Sequence, residues 1–327
     1  MTERPGVAGL RALVTGAAGF VGANLVRHLV AQQADVHVLL RPKTDLWRLT
    51  DVLPKIERCH ADLTDASAVA RVVGAVDPHV VFHLAKHRGD PTALDYGAAF
   101  EANLTATLNL LQAARNVRAL QRFVHAGSSL EYDLSRAPLR ESEFSAPMTV
   151  HGVTKAAASL LCTHFAIRHQ MPTVVLRFFT VYGPWEDGAR FVPSLMVAAI
   201  EGRPVHLTKP GHRHDWIYVG DVVDACIRSA TTAGIDGEIL NIGTGVQTTN
   251  EDIVGLVEAS AGHRLVRACE PFPSRSWDSE RWVADMSKTR HLLGWEATTT
   301  LREGLGMTLG WFRTHLDHYA ESAGRPS

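Results

Sequence analysis

The 327-residue sequence predicts an α/β fold, with a doubly wound parallel sheet and a smaller mixed C-terminal lobe. In the first half, short apolar runs alternate with segments of helical periodicity, which is typical of parallel strands joined by helical crossovers. A glycine-rich turn joins the first apolar run to the first helical segment. The second half is less regular and turn-rich. At about 150 residues per domain, the length also favours about two structural units.

Apolar runs in chain order predict strands at Leu10–Thr15, Val36–Leu40, Val80–Leu84, Arg122–Ala126 and Thr173–Phe178. Apolar residues at helical spacing predict the first helix over Gly19–Ala31. Two later runs, Ile217–Val219 and Ile239–Ile242, are expected to return to the larger unit. We therefore expect a larger domain at residues 1–178, with returns near 215–245, and a smaller lobe at 179–214 and 246–318.

Composition excludes several classes of protein. The 33 Lys and Arg residues against 34 Asp and Glu residues give a net charge of −1, so no electrostatic case exists for binding nucleic acid or an anionic membrane. No apolar run approaches the roughly 20 residues that span a bilayer, and the N-terminus lacks a signal-peptide pattern. The four scattered cysteines (Cys59, Cys162, Cys226 and Cys269) favour neither a disulfide framework nor a metal site. A cytoplasmic protein is expected.

The turn after the first predicted strand carries glycines at positions 16, 19 and 22. This spacing allows a tight turn, close approach of the backbone to a pyrophosphate, and close packing of helix on strand. The helix N-terminus then offers free N–H groups to an anion. The position between a strand and a helix favours a dinucleotide-binding Rossmann domain over a glycine-rich turn without a ligand. The predicted contacts are Gly16, Ala18, Gly19, Phe20, Val21 and Gly22.

The end of the second strand bears on the choice of cofactor. An acid there usually holds the ribose 2′-OH of NAD, whereas an Arg suits a 2′-phosphate. This chain has Arg41 and Lys43, with no acid until Asp45. We therefore expect NADP(H), with NAD(H) as the alternative; a solvated basic turn would also explain the pattern. Further strand ends place Asp62 and Leu63 near the adenine, and Leu84 and Ala85 near the nicotinamide.

A set of motifs then resembles a known family. The motifs are TGAAGFVG, ADLTD (Ala61–Asp65), FHLA (Phe82–Ala85), GSSLEY (Gly127–Tyr132), GVTKAA (Gly152–Ala157), LRFFTVYGP (Leu176–Pro184), DWIYVGDVVDA (Asp215–Ala225), NIGTG (Asn241–Gly245) and LGW (Leu293–Trp295). In this order they resemble the extended short-chain dehydrogenase/reductases that act on nucleotide sugars. The resemblance implies an NAD(P)-dependent enzyme, and it adds Lys86, Asn103, Lys155, Phe178 and Val181 to the cofactor contacts.

The resemblance also implies a catalytic group formed by a Ser or Thr, a Tyr and a Lys, the last two spaced Y-x-x-x-K. Ser128 and Lys155 stand at the first and last positions, and His151 stands where the Tyr is expected. The sequence leaves three interpretations open. His151 donates the proton as an imidazolium, with activity rising toward pH 6; the activity is lost; or a nearby hydroxyl, Tyr182 or Tyr96, acts instead.

Further departures from the family pattern narrow the choice of reaction. Family dehydratases carry an Asp-Glu pair where this chain has Ser129 and Leu130, and leucine cannot transfer a proton. Family epimerases retain NAD, which fits Arg41 poorly. The stretch Val36–Leu49 is similar to the NADPH-using branch of CDP-paratose and CDP-abequose synthases. We expect reduction of a 4-keto group on an NDP-deoxyhexose. The alternatives are an NAD-dependent 4-epimerase and a catalytically silent dinucleotide-binding protein that senses redox state or stabilises a partner.

The implied substrate is a nucleotide-diphosphate sugar. Its predicted contacts are Ser129, Thr180, Arg190, Val192, Arg213, His214 and Arg275. His214 stands where the family usually has Arg, and Thr180 where it usually has Asn. The resemblance further implies a homodimer formed through the apolar faces of Phe100–Ala114 and Val153–Phe165.

Overall fold

The structure is a computed structural model that describes residues 6–87, 95–133, 137–143, 145–207, 211–268 and 281–319. The strands are β1 (Arg11–Thr15), β2 (Asp35–Leu40), β3 (Glu57–His60), β4 (Val80–His83), β5 (Arg122–Ser128), β6 (Thr173–Phe178), β7 (Thr180–Tyr182), β8 (Arg213–Tyr218), β9 (Ile239–Ile242) and β10 (Gln247–Thr249). The helices are α1 (Phe20–Ala31), α2 (Ala66–Val76), α3 (Tyr96–Phe100), α4 (Ala106–Ala114), α5 (Val150–His169), α6 (Phe191–Glu201), α7 (Val219–Thr231), α8 (Asn250–Ala261), α9 (Ser287–Leu293) and α10 (Leu301–His315).

A seven-stranded parallel sheet forms the larger layer, in the order β3-β2-β1-β4-β5-β6-β9. Helices cover both faces because the strands, apart from the polar edge strand β3, are apolar on both sides, as is typical of parallel sheets. One face packs against α1 and α7, and the other against α2, α4 and α5. The predicted doubly wound α/β fold is therefore confirmed, including the five early strands and the return of Ile239–Ile242 beside β6.

A second, three-stranded sheet is mixed: β8 pairs parallel with β7 and antiparallel with β10. With α6, α8 and α10 it encloses a separate apolar core. Of the run Ile217–Val219, which is expected to return to the larger unit, the backbone of Ile217 pairs with β7 in the small sheet, and Val219 begins α7. The side chain of Ile217 nevertheless packs in the core of the large sheet, against residues of α7. The domain boundaries given above stay a prediction.

The large sheet determines where a ligand can lie. The chain crosses from β1 to β2 on one side and reaches β4 on the other, so the strand order reverses between β1 and β4. In such sheets ligands bind at the carboxyl ends of the strands beside the reversal. Within the described ranges, no helix has the length and apolarity that crossing a membrane requires.

Candidate active site

The glycine turn after β1 has a shape that only glycine permits. Gly16 has φ +70°, and a Cβ there would lie 2.6 Å from the backbone of Leu84 and Ala85. A Cβ on Gly22 would lie 2.2 Å from the carbonyl oxygen of Gly16. Gly19 caps α1 without a side-chain hydrogen bond, so the first-turn N–H groups face an open cradle. These residues fit the pyrophosphate of a dinucleotide.

Two basic side chains and one acid flank the cradle at the ends of β2 and β3. Arg41 and Lys43 are exposed just after β2. Asp62 accepts hydrogen bonds from the N–H and the hydroxyl of Thr64, at 2.9 and 2.7 Å. These bonds, together with the charge of Arg41, lower the pKa of Asp62. Arg41 thus lies close to Asp62 at the edge of the sheet, where the adenosine end of a dinucleotide would lie.

A buried histidine, His83, connects β1 to α4. Its Nδ1 lies 2.7 Å from the Thr15 hydroxyl and its Nε2 lies 2.9 Å from the Thr107 hydroxyl. Thr107 donates its own hydrogen to the carbonyl of Asn103 at 2.5 Å. Nε2 of His83 must therefore donate to Thr107, and Nδ1 must accept from Thr15. Burial lowers the pKa of His83 to about 3, which keeps this ring neutral.

Asn103 continues this network to α5. It lies in a π-helical turn at Glu101–Thr105, between α3 and α4. Its side chain accepts from the N–H of His87 at 2.7 Å and donates to the hydroxyl of Thr154 at 2.8 Å. Thr154 in turn donates to the carbonyl of His151 at 3.0 Å. Asn103 itself is buried, so its side chain positions the loop after β4 rather than facing the cleft.

Ser128 ends β5 directly beside Phe178, its register partner at the end of β6. Its backbone N–H donates to Glu131 at 2.8 Å, and its hydroxyl accepts from the N–H of Leu130 at 3.2 Å. Glu131 is fully buried and pairs with Arg177 at 2.8 Å. Glu131 is therefore a structural residue that holds Ser128 in place. The S-x-x-E spacing of a capping box was the sequence signal for this arrangement.

Lys155 lies on α5 and reaches β5, the strand that ends in Ser128. It is buried, and its Nζ donates to the carbonyl of Ala126 at 2.8 Å. Burial lowers the pKa of Lys155 to about 8; the charge of Glu131 opposes this shift, and that of Lys86 adds to it. Near neutral pH, Lys155 is therefore an ammonium group that can release its proton within the physiological range.

His151 lies in the first turn of α5, one turn before Lys155, and is half-buried. Burial lowers its pKa to about 3, and so do the positive charges of Lys155, Lys86, Arg190 and His87. All four neighbouring charges disfavour a second proton on the imidazole. This lowered pKa keeps the ring neutral near pH 6, which disfavours the expected imidazolium donor with activity rising toward pH 6; that expectation stays a prediction.

The two tyrosines that could replace His151 differ in location. Tyr182 is buried in the core of the smaller lobe, and its hydroxyl donates to the Leu301 carbonyl at 3.5 Å. Burial raises the pKa of Tyr182 far above its usual range. Tyr182 therefore does not serve as the proton donor. Tyr96 is exposed on α3, and the structure gives it no contact with His151.

The predicted cofactor residues gather along the carboxyl edge of the large sheet. At least partly exposed there are Gly16, Ala18, Gly19, Phe20, Val21, Arg41, Lys43, Asp62, Leu84, Ala85, Lys86, Phe178 and, in β7, Val181. Gly22, Leu63, Asn103 and Lys155 are buried. The β1 and β4 ends are joined directly, since Leu84 N–H donates to the Thr15 carbonyl at 3.1 Å.

The predicted substrate residues divide into two groups. Thr180 and His214 are neighbours, with the Thr180 hydroxyl 3.4 Å from Nδ1 of His214, and Trp216 and Trp282 pack on the His214 ring. Arg190 caps α6, and Arg213 is exposed in β8.

The other three predicted substrate residues are Ser129, Val192 and Arg275. Ser129 is 3% exposed and Val192 is 1% exposed. Their side chains are buried, so neither faces open space in this structure; their role as substrate contacts stays a prediction. Arg275 lies outside the described residues.

The sequence analysis missed a group of residues around the loop that follows β7. The side chains of Asn24, Arg48 and Tyr319 each donate to a carbonyl of that loop. They come from positions far apart in the chain, and no local spacing marks them.

The fold and the glycine cradle define a dinucleotide-binding α/β protein. The family model described as the NAD dependent epimerase/dehydratase family matches residues 12–243. The chain therefore belongs to the NAD dependent epimerase/dehydratase family.

Relatives of the chain include enzymes of more than one reaction type. The dTDP-glucose 4,6-dehydratase of Neisseria gonorrhoeae is 29% identical over 328 residues, covering 92% of this chain and 94% of the relative. The structure of UDP-glucose 4-epimerase from Thermotoga maritima with UDP-glucose is similar, with TM-score 0.85 and 26% identity over 94% of this chain and 100% of that one. UDP-glucuronic acid 4-epimerase from Bacillus cereus, in complex with UDP-glucuronic acid and NAD, has TM-score 0.83 and 25% identity, with 94% and 100% covered.

Proposed function

We propose that the protein is an NADPH-dependent reductase of a 4-keto group on a nucleotide-diphosphate deoxysugar, with His151 in the position of the family tyrosine. The observation that carries this proposal is the arrangement of His151 and Lys155 on one face of α5, opposite Ser128 at the end of β5. A residue pair four positions apart on a helix presents both side chains to the same side. Relatives that act on dTDP-glucose and UDP-glucose support a nucleotide-sugar substrate.

The preference for NADPH rests on the end of β2. Arg41 and Lys43 are exposed there, and neither forms an ion pair with another described residue. A guanidinium binds a phosphate through two parallel hydrogen bonds, which a ribose hydroxyl cannot offer. UDP-glucuronic acid 4-epimerase from Bacillus cereus, by contrast, is in complex with NAD. Comparing the use of NADPH and NADH by this protein therefore tests the proposed preference.

When bound, the nicotinamide cofactor supplies the hydride. The residues of the chain then have to complete the reduction by delivering a proton to the new alkoxide. Neutral His151 donates a hydrogen bond to the carbonyl oxygen together with Ser128. It passes its N–H proton to the alkoxide while Lys155 returns a proton to the other ring nitrogen. The net proton donor is then Lys155, whose pKa of about 8 suits the task near neutrality.

Dehydration is not proposed, because Leu130 occupies a site position where water elimination needs an acid. The Leu130 side chain packs against the large core, and nearby Glu131 is committed to Arg177 and Ser128. No carboxylate next to Ser128 is therefore available to protonate a leaving hydroxyl.

The experiment compares the parent protein with His151→Ala and His151→Tyr on dTDP-4-keto-6-deoxyglucose, using NADPH and NADH in parallel. We expect the parent to consume NADPH and His151→Ala to lose about two orders of magnitude in kcat, as removal of a positioned acid typically does. Lys155→Met should lose at least as much.

Three results would contradict the proposal. Retained NAD, with interconversion of UDP-glucose and its epimer and no added cofactor, would indicate a 4-epimerase. Activity in His151→Tyr but not in the parent would indicate a dinucleotide-binding protein that has lost catalysis. Equal use of NADH and NADPH would remove the role given to Arg41.

We also propose that the protein forms a homodimer through α5. Val153, Leu160 and Ile167 lie seven residues apart on this helix and are 39, 66 and 78% exposed. Seven residues are close to two helical turns, so the three side chains form one apolar stripe. Phe100 and Tyr96 on α3 are also exposed. Leu160→Glu should convert a dimer into a monomer in sedimentation velocity; an unchanged mass would contradict this interface.

A further inference from the structure

The loop between β7 and α6 is held by three side chains in a row. The carbonyl of Pro184 accepts from Asn24 at 3.0 Å, that of Trp185 from Nε of Arg48 at 2.7 Å, and that of Glu186 from the Tyr319 hydroxyl at 2.9 Å. We call these three contacts the carbonyl clamp. The donors come from α1, from the 3₁₀ turn at Trp47–Leu49, and from the end of the described chain.

The central residue of the clamped loop has a strained backbone. Trp185 has φ +71°, a left-handed conformation that a bulky side chain rarely adopts. The Arg27 guanidinium lies 4.0 Å from its ring centre, and Trp311 and Trp47 pack on it at 4.9 and 5.6 Å. A strained conformation persists only where the surroundings enforce it, and such residues cluster at functional sites.

The clamp connects the substrate side of the cleft to the cofactor side. Arg190 follows the clamped residues by four positions and caps α6. It lies within electrostatic range of His151, whose pKa is lowered mainly by burial and Lys155, with a smaller effect of Arg190. Asn24 belongs to the helix that forms the pyrophosphate cradle, and Arg48 follows the Arg41–Lys43 segment. Both cofactor-binding segments therefore hold the loop that carries Arg190.

We propose that Asn24, Arg48 and Tyr319 are positioning residues for substrate binding, which hold Pro184–Glu186 and thereby the position of Arg190 at the start of α6. This inference rests on the proposed function, since Arg190 is to contact an anionic group of a nucleotide sugar. A loop that occupies the competent position for only part of the time binds more weakly by that fraction. Loss of a clamp contact should therefore weaken substrate binding without changing cofactor binding.

The test uses Tyr319→Phe, which removes one hydroxyl and keeps the packed ring. Its matched control is Thr308→Val, which removes the buried hydroxyl bond from Thr308 to the Gly304 carbonyl on α10 and leaves the three clamp contacts in place. The probes are UDP-glucose and dTDP-glucose, with NADPH titrated separately by calorimetry. We expect Tyr319→Phe to raise the Kd of the bound probe about two- to tenfold, as the loss of one neutral hydrogen bond allows. The Kd of NADPH should be unchanged in Tyr319→Phe, and the Kd of the bound probe should be unchanged in Thr308→Val.

A second readout follows the loop itself. Hydrogen exchange of the amides of residues 183–190 should be faster in Tyr319→Phe than in Thr308→Val. Arg48→Met should weaken probe binding more than Tyr319→Phe, and Arg48→Lys should recover part of the loss, because lysine keeps one donor but loses the planar stack on Trp47.

The outcomes separate this inference from the proposed function. A parent protein that binds neither probe would overturn the proposed function and this inference with it. A parent that binds a probe while Tyr319→Phe binds it equally well would overturn this inference alone. Weaker probe binding with equal hydrogen exchange in Tyr319→Phe and Thr308→Val would also overturn it, because the loop would not have moved.

Discussion

The two ends of the candidate cleft are built on different physical principles. At the glycine cradle, the shape follows from the absence of side chains: a Cβ on Gly16 or Gly22 would collide with the backbone. At the reacting end, the shape and chemistry follow from buried charges, namely Lys155 under His151 and Glu131 against Arg177. The first end depends on steric contacts of a few glycines with each other and with the end of β4. The second depends on contacts between strands and helices far apart in the chain.

This difference determines how each end responds to change. An added side-chain atom disrupts the glycine cradle, whereas a change of charge beside the cradle alters only its affinity for the cofactor. A buried charge network tolerates changes of volume poorly and loss of charge even less, since an unpaired buried ion has no solvent to stabilise it. The predictions below test this contrast, beginning with the largest expected effect.

Glu131→Gln should destabilise the fold most. It removes the charge that compensates the buried guanidinium of Arg177, and breaking such a pair costs about 3–5 kcal/mol. The free energy of unfolding in urea measures the change. Glu296→Gln is the matched control, because its pair with Arg290 is exposed and should contribute less than about 1 kcal/mol. Equal losses in the two variants would show that Glu131 is not a structural ion.

Gly22→Ala should damage the cradle. Its new Cβ would meet the Gly16 carbonyl, and overpacking of this kind costs about 1–3 kcal/mol. We expect the Kd of NADPH to rise about tenfold to a hundredfold in a fluorescence titration. Gly74→Ala in α2 meets no atom within 4 Å and should leave the Kd unchanged. An unaltered Kd in Gly22→Ala would contradict the cradle.

Arg41→Ala should reduce affinity for NADPH and spare NADH. A hydrogen bond to a charged group contributes about 1.5–3 kcal/mol, so the Kd of NADPH should rise about tenfold to a hundredfold. Arg71→Ala on α2 removes an equal charge from an exposed position and serves as the control. If the Kd values of NADPH and NADH rise equally in Arg41→Ala, Arg41 contributes only a general positive field.

The pH profile sharpens the contrast at the reacting end. The pKa of Lys155 is lowered to about 8, and the proposed reduction uses its ammonium form. The rate should therefore be nearly flat from pH 5.5 to 7 and should fall about fourfold between pH 7 and 8.5, by simple titration of one group. A steady rise in rate as pH falls from 7 to 6 would instead indicate an imidazolium donor. The assay is single-turnover reduction at saturating NADPH.

Local sterics and periodicity made parts of this protein predictable from its sequence. Six strands of the large sheet were predictable as apolar runs, whereas β3 is polar and largely exposed. The glycine spacing indicated the cradle because the close approach of Gly22 to Gly16 lies within seven residues; the close approach of Gly16 to Leu84 and Ala85 arises only on folding. The register of β8 was not predictable, because Ile217 packs in one core while its backbone pairs in the other sheet. Ser129 and Val192 sit in site motifs, yet burial turns their side chains inward.

The sequence by itself determined six of the seven strands of the large sheet, the first helix and the glycine turn, and a family resemblance implied that Ser128, His151 and Lys155 belong to one site. Only the tertiary structure decided that His151 is neutral, that Lys155 titrates near pH 8, and that Glu131 is bound to Arg177. It also decided that three distant side chains hold the loop before Arg190. Protonation and loop position depend on burial and on charges brought together by folding, whereas the spacing of the glycines is already present in the chain.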